Sequence, residues 1–129
     1  MKKYIVLVTF LCGFFAMGQG VLERNVGDFH EIKVYDLIAV NLIKSNDNKV
    51  LIKGPHASDI QLVNKDGVLK VRMMLEKKFQ GENTFVEVYY KELDVIDGNE
   101  GARITANELI SQTSLNLRVQ EGAVISLGL

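Results

Sequence analysis

The sequence is nearly without cysteine, and this limits how its fold can be held together. Its single cysteine, Cys12, lies in the apolar segment at the N-terminus, and none follows it. No internal disulfide can form, so a domain of this size must rely on a hydrophobic core. Histidine is also scarce. His30 and His56 have no His or Cys neighbour at metal-ligand spacing, so we interpret both as solvated side chains rather than zinc ligands.

Clusters of lysine and arginine are lacking as well. The whole chain has 15 basic and 16 acidic residues; without residues 1–18, 13 basic residues face 16 acidic ones, a net charge of −3. Nucleic acids and anionic membrane surfaces are bound through clustered positive charge. The composition therefore argues against both as partners.

No apolar run is long enough to span a membrane. The longest, Tyr4 to Met17, has 14 residues and follows two lysines, whereas a spanning helix needs about 18 or more. This is the pattern of a signal peptide. The small residues Ala16 and Gly18 predict cleavage after Gly18, which would leave a single domain over 19–129 beginning at Gln19. No transmembrane segment would remain in the mature chain.

A lipoprotein is the alternative interpretation of this segment, because an acylated cysteine ends the apolar run of such a protein. Cys12 lies in the middle of the run, and Phe10-Leu11 before it are not the small residues that such a site needs. We therefore expect a cleaved signal peptide and an exported protein, located in the periplasm, on the cell surface or outside the cell.

A sustained 3.6-residue period is also absent, so helix content should be low. From Ile32 onward, apolar and polar residues alternate as in half-buried strands. The turn residues Ser45 to Asn48 predict a hairpin over 38–53, and Asn64 to Gly67 predict a second turn. Phe85 to Tyr90 is rich in aromatic and β-branched residues, as strands are. The sequence therefore predicts an all-β fold.

The last third of the chain contains a repeat. Glu100-Gly101-Ala102 returns as Glu121-Gly122-Ala123 at an offset of 21 residues, whereas the preceding alternations Leu93-x-Val95 and Leu115-x-Leu117 are offset by 22. Repetition at about 20–50 residues indicates stacked structural units. We predict about two such units, one with an extra loop residue.

The order of these motifs resembles the family "putative autotransporter adhesin, head GIN domain". The similarity extends over roughly residues 22–129 and rests on Arg24-x-Val-x-x-Phe29-x-x-Ile32-x-Val34, a hairpin, Gly67-x-Leu69-x-Val71 and the Gly-Ala turns. The resemblance implies an exported bacterial protein whose hairpin-rich N-terminal sheet runs into a short right-handed β-solenoid. It implies adhesion without catalytic residues or a cofactor. Family members commonly continue through further units, so we expect a short or truncated member.

Motifs for catalysis are absent. No serine lies in a glycine-flanked nucleophile elbow. Paired carboxylates for glycoside cleavage could be drawn from Asp94 and Asp97, or from Glu100 and Glu121 on successive units, since stacked residues lie about 4.8 Å apart. Such proximity is common to all stacked β-units, and two units form no long groove. We expect a protein that is not an enzyme.

Two binding candidates remain. Oxygen side chains close together beside glycine, as in Asp94, Asp97, Asn99 and Glu100, can hold calcium, although a solvated turn explains them equally well. The other candidate is a surface for sugars or a protein, formed by aromatic residues, namely Tyr35, Phe79, Phe85, Tyr89 and Tyr90. Among them, Tyr89 and Tyr90 are neighbours in a strand, so one should face the solvent. That ring could bind a glycan or another cell-surface component, or simply pack against its neighbours.

The end of the repeat predicts an interaction edge. A terminal unit leaves backbone groups unpaired unless something covers them, and Val124, Ile125 and Leu127 lie there. Truncation, docking of the terminus on its own N-terminal strands and self-association through this edge are the three alternatives. We expect a non-catalytic module of the cell envelope or surface. A soluble module that binds glycans or envelope components is the second hypothesis, and a carbohydrate-active enzyme the third.

Overall fold

The computed structural model describes residues 21–77, 81, 83–109 and 114–128. The predicted signal peptide, including Cys12 and the cleavage point between Gly18 and Gln19, lies outside these residues.

Within the described residues the chain is all-β, as predicted, with two short 3₁₀ turns at Ala57–Asp59 and Leu75–Lys77. The strands are β1 Val21–Asn25, β2 Glu31–Val34, β3 Ala39–Lys44, β4 Lys49–Lys53, β5 Ile60–Lys65, β6 Val68–Met73, β7 Phe85–Tyr90, β8 Val95–Gly98, β9 Arg103–Leu109, β10 Asn116–Val119 and β11 Val124–Gly128. None of the described residues forms a helix long and apolar enough to cross a membrane.

The strands form two mixed sheets. The six-stranded sheet has the order β1-β4-β7-β3-β9-β11, and the five-stranded sheet has the order β10-β8-β2-β6-β5. The strand pairs from β7 to β11 in the first sheet and from β10 to β6 in the second are parallel. The pairs that involve β1, β4 and β5 are antiparallel. Alternate side chains of both sheets meet in one apolar core, as the period of two requires.

Strand–turn–strand units are stacked in parallel through both sheets. The order of the units is β10–β11, β8–β9, β2–β3 and β6–β7, so each unit contributes one strand to either sheet. Equivalent core residues lie side by side: Ile32 pairs with both Leu69 and Ile96, and Val40 pairs with Val86 and Ile104. All six side chains are at most 2% exposed. Apolar residues therefore form continuous ladders between the sheets.

Three of the units turn in the same way. The central turn residues Asp36-Leu37, Glu100-Gly101 and Glu121-Gly122 all have positive φ, between 50° and 77°, which is the backbone of a type I′ turn. In each turn the amide after the pair donates to the carbonyl before it; the donors are Ile38, Ala102 and Ala123. The repeated Glu-Gly motif, at Glu100-Gly101 and Glu121-Gly122, therefore forms two of the three stacked turns. Leu37 occupies the glycine position of the third.

Several sequence predictions are corrected by this topology. Residues 38–53 do not form a hairpin, because β7 lies between β3 and β4 and pairs with both. The predicted two-unit solenoid after a separate N-terminal sheet is not confirmed, since the N-terminal strands β2 and β3 lie in the middle of the stack. The extra loop residue is also wrong. Leu117 pairs with Ile96 rather than Val95, so the offset of 21 holds in the turn and in the paired strands as far as Ser126.

The turn predicted at Asn64 to Gly67 is confirmed. Asp66 and Gly67 have φ of 54° and 81°, and β5 and β6 pair antiparallel on either side of them. The polar segment that follows residue 21 forms strand β1, which pairs antiparallel with β4. This strand therefore extends the six-stranded sheet beyond the parallel stack.

Candidate binding surface

The predicted calcium ligands are distributed over three local environments. Asp94 is an exposed residue whose carboxylate lies 3.8 Å from the His30 imidazole. Asp97 is buried, and its Oδ1 accepts a 3.0 Å hydrogen bond from Asn99 Nδ2. Glu100 occupies a type I′ turn. Across the described ranges, no group of three or more His, Cys, Asp or Glu residues is arranged to hold a metal ion.

The predicted aromatic pair is divided between the two faces of β7. Tyr90 points into the core and is 4% exposed, so its ring is not available to a ligand. Tyr89 lies on the opposite, outward face, half-buried, with the Lys49 ammonium 4.9 Å from its ring centroid. This distance is that of a cation–π contact. Of the two tyrosines, only Tyr89 belongs to the surface.

Tyr89 is part of a regular array on the outward side of the six-stranded sheet, which we call the outer face. Strand register places its side chains in three rows that run across the sheet. They are Lys53, Phe85, Ala39, Arg103 and Val124 in the first row, Leu51, Glu87, Asn41, Thr105 and Ser126 in the second, and Lys49, Tyr89 and Ile43 in the third.

Phe85 is the most exposed large apolar residue of the outer face. Its side chain is 55% exposed, although burial of a phenylalanine is strongly favourable. Small Ala39 lies between Phe85 and Arg103 in the row, and a cleft of about 490 Å³ opens there, with Val124 on its far side. An exposed ring, a small neighbour and a guanidinium form a surface that can bind a ligand.

Charged groups of the outer face are unequally paired. The Lys53 ammonium lies 3.1 Å from Glu87, and the Lys49 ammonium lies 3.8 Å from Glu23. Arg103 is exposed and has no acidic partner among the residues that the structure describes. A positive charge is therefore available beside the apolar cleft.

A larger polar cleft, of about 720 Å³, lies at one end of the sheet. Its polar groups largely bind one another. Asn48 donates to Asp28 at 2.8 Å and accepts from the Lys91 amide at 3.1 Å, while the Lys91 ammonium lies 3.6 Å from Asp28. Since these contacts join the β3–β4 turn to the segments before β2 and after β7, the cleft has a clear structural role.

A third cleft, of about 340 Å³, lies beside Tyr35 and Asp36 at the other end of β2. Burial raises the pKa of the Tyr35 hydroxyl, and the nearby Asp97 carboxylate raises it further, while Arg72 acts in the opposite direction. Asp36 is 3% exposed and accepts a 3.1 Å hydrogen bond from the Met73 amide. This contact ties the turn of one unit to β6 of the next.

Apolar side chains are exposed at the last unit in the stack. Leu117 pairs with Ile96, which is 0% exposed, yet Leu117 itself is 45% exposed. Val119, on the same side of β10, is 53% exposed, and Ile125 on β11 is half-buried. In the described part of the chain, β10 and β11 each have one neighbouring strand, so nothing covers these residues on the far side.

Sequence reasoning included Phe85 and Tyr89 among the candidate aromatics but did not recognise the array around them. Phe79, another of these candidates, lies outside the described residues. Phe85 shares the face of Tyr89 through the period of two, and that signal was present in the sequence. Arg103 lies two strands away from β7. Its position could not be read from the chain order, because β3, from the N-terminal half, separates β7 from β9.

Comparison with known proteins agrees with this architecture. The family model "Putative auto-transporter adhesin, head GIN domain" matches residues 28–129. A search of curated protein sequences finds no match.

Solved structures from Bacteroides and its relatives share the fold. A "putative adhesin" from Bacteroides fragilis NCTC 9343 superposes with a TM-score of 0.70 at 16% identity, over 81% of this chain and 50% of that one. One from Parabacteroides merdae ATCC 43184 gives 0.61 at 18% identity, over 77% and 42%. A "Putative lipid binding protein" from Parabacteroides distasonis ATCC 8503 gives 0.58 at 14% identity, over 77% and 45%. The chain thus spans about half the length of these structures or less.

Proposed function

The chain belongs to the family "Putative auto-transporter adhesin, head GIN domain", and from this premise we propose that it is an exported, non-catalytic module of the cell envelope or surface. Its stacked units are taken to form a short right-handed β-solenoid that acts as a rigid support. The observation that carries the proposal is the outer face, where Phe85 is 55% exposed on a regular sheet. Contact with another surface would bury this ring.

The family and the fold both support a surface role. Two of the similar structures are described as "putative adhesin". Adhesion requires a stable binding surface and no catalytic residues. Glu100 and Glu121, the carboxylates that stacking brings into succession, occupy turn positions with positive φ. Asp97 already accepts a hydrogen bond from Asn99. These contacts favour structural roles for the acidic residues.

Export is tested by the N-terminus and the location of the protein. We expect mature protein to begin at Gln19 and to be cleaved by protease added to intact cells, while a cytoplasmic marker stays protected. An uncleaved chain found in the cytoplasm would contradict export. Protection in intact cells together with digestion after the outer membrane is opened would assign the protein to the periplasm.

Adhesion is tested by cells that carry the protein on their surface. Attachment to a coated surface should fall when Phe85→Ala is introduced, and should remain when Leu75→Ala is introduced instead. Leu75 is 84% exposed but lies outside the outer face, which makes it a matched control. Equal attachment by cells lacking the protein would contradict an adhesive role.

A soluble module that binds glycans or envelope components is the second candidate function. It is favoured by Tyr89, an outward ring among polar neighbours such as Glu87 and Asn41. Binding of the purified mature domain to a glycan array, lost in Tyr89→Ala, would favour this role over a structural one. Tyr90→Ala is uninformative about binding because that ring is in the core.

Self-association through the C-terminal edge is proposed as well, with a second copy of this chain as the occupant. The parallel register that joins β8 to β10 and β9 to β11 can continue into strands of another copy, which would cover Leu117 and Val119. Sedimentation should then show concentration-dependent association that Val119→Lys and Ile125→Lys weaken. Asn116→Lys, on the opposite face of β10, is the control. A monomer at high concentration would refute the proposal.

A further inference from the structure

We propose that the outer face binds a polysaccharide whose sugars carry carboxylate groups, with the chain lying along β7 and across to Arg103. The inference deepens the proposed glycan-binding role by naming the class of ligand and the residues that recognise it. It rests on three features of the outer face: two aligned rings, a guanidinium that has no acidic partner among the residues that the structure describes, and a polar row between the two rings.

The two rings are aligned on one strand. Phe85 and Tyr89 are four residues apart in β7, so both point outward and their Cα atoms lie about 13 Å apart. A sugar ring presents a face of C–H groups that packs against an aromatic face, whose π-electrons are negative. Two rings at this separation can hold two non-adjacent sugars of one oligosaccharide. Glu87 lies between the rings on the same face, with its carboxylate 3.1 Å from the Lys53 ammonium, so the intervening part of the oligosaccharide would pass over this ion pair.

Arg103 provides the charge. Phe85, Ala39 and Arg103 are consecutive in the first row, so the Cα atoms of Phe85 and Arg103 lie about 10 Å apart, two strand spacings away. The methyl group of Ala39 leaves the space between them open, and this is the cleft of about 490 Å³. A planar guanidinium binds a carboxylate through two parallel hydrogen bonds. A sugar stacked near Phe85 would therefore direct its carboxylate to Arg103.

The polar side chains of the second row favour an acidic sugar over an anionic lipid as the ligand. Thr105 and Ser126 are exposed neighbours across the sheet and offer hydroxyl groups in the row next to the cleft. Asn41 beside them is half-buried, and its Oδ1 is shielded from solvent. Glu87, the next residue of the row, is paired with Lys53. Sugar hydroxyls both donate and accept hydrogen bonds, so this row suits them. A lipid acyl chain would instead leave these polar groups without partners. The mixture of rings, cation and hydrogen-bonding groups thus favours an acidic sugar over an anionic lipid.

Calorimetry with the full mature domain and polygalacturonate as the probe tests this inference. We expect binding that weakens as salt is raised, because charge contributes to it. Arg103→Gln and Phe85→Ala should each raise Kd by roughly ten-fold. A neutral glucan of equal length should bind at least about ten-fold more weakly than polygalacturonate. Arg72→Gln, an exposed arginine of the other sheet, should leave the affinity unchanged, and urea unfolding of each variant establishes that it is folded.

Several results would overturn the inference. Equal affinity for the neutral glucan, or no effect of Arg103→Gln, would remove the carboxylate from recognition. Binding of polyglutamate or of anionic phospholipid vesicles without binding of polygalacturonate would assign the face to an acidic peptide or a membrane. If no polysaccharide binds while cell attachment still depends on Phe85, the inference fails and the adhesive function stands. If no polysaccharide binds and cell attachment does not depend on Phe85, both the inference and the adhesive function are contradicted.

Discussion

The amide of Gly101 donates a 2.9 Å hydrogen bond to the carbonyl of Glu121. This bond directly joins the two copies of the Glu-Gly motif, because the two turns are stacked on each other. The amide of Leu37 makes the equivalent 3.0 Å bond to the carbonyl of Glu100. Hydrogen bonding therefore runs through three successive turns as it does through the strands. Each turn is positioned by the unit beside it.

Replacement of glycine in these turns should depend on the neighbouring turn. Gly101 has φ of 74°, and a Cβ there would lie 2.4 Å from Leu37 Cδ2; Gly122 has φ of 77°, with nothing within 4 Å of a Cβ. Gly122→Ala should cost about 1 kcal/mol of unfolding free energy through backbone strain alone. Gly101→Ala should cost about 2–3 kcal/mol because Leu37 must also move. Urea unfolding measures both, and equal losses would contradict the stacked contact.

The unfolding free energy lost when a core isoleucine is truncated should depend on where the residue lies in the stack. Ile104 is 0% exposed and lies between two neighbouring strands, whereas its partner Ile125 is half-buried at the last unit. Ile104→Ala should reduce the unfolding free energy by about 2–5 kcal/mol. Ile125→Ala should cost clearly less, since its side chain loses fewer packed neighbours. Denaturant melts at low protein concentration keep self-association from masking the difference. A larger loss at Ile125 would indicate that the edge is covered in solution.

Tyr35 should make stability depend on pH at the alkaline end. Burial, followed by the charge of Asp97, raises its pKa above the ordinary value of 10.0. The folded state therefore favours the neutral phenol, so this contribution is complete below pH 10 and is lost as the pH rises through the folded pKa. Tyr35→Phe cannot ionise. Its unfolding free energy relative to the unmodified protein should be constant below about pH 9 and should increase above pH 10. A constant difference up to pH 11 would contradict the raised pKa.

Asn48 should be the key residue of the β3–β4 turn. It is 8% exposed and joins Asp28 to the amide of Lys91. Asn48→Ala should cost about 1–3 kcal/mol, because a polar group loses its partner in a partly buried site. Asn46→Ala, an exposed position in the same turn, should change stability by less than about 0.5 kcal/mol. Chemical denaturation of both variants provides the comparison.

Local features of the fold were predictable because their causes are local. The alternation from Ile32 to Leu42 predicted strands whose even-numbered side chains are buried, and Ile32, Val40 and Leu42 are each at most 2% exposed. The turn at Asp66-Gly67 was recognised from residues that tolerate positive φ. Of the candidate site, sequence reasoning gave the aromatic residues Phe85 and Tyr89, which the period of two places on one face. Arg103 required knowledge of which strands are neighbours.

Sequence by itself determined the all-β class, the 21-residue spacing of the last two units and the family, because alternation, turn residues and motif order are properties of neighbouring positions. Tertiary structure alone decided that β2–β3 lies between units that come later in the chain, and that Asp36-Leu37 is a third copy of the turn. No glycine marks that copy: Leu37 is held at φ of 64° by the units stacked around it. Pairing between distant strands depends on which apolar faces can be buried together, and no single stretch of sequence contains that information.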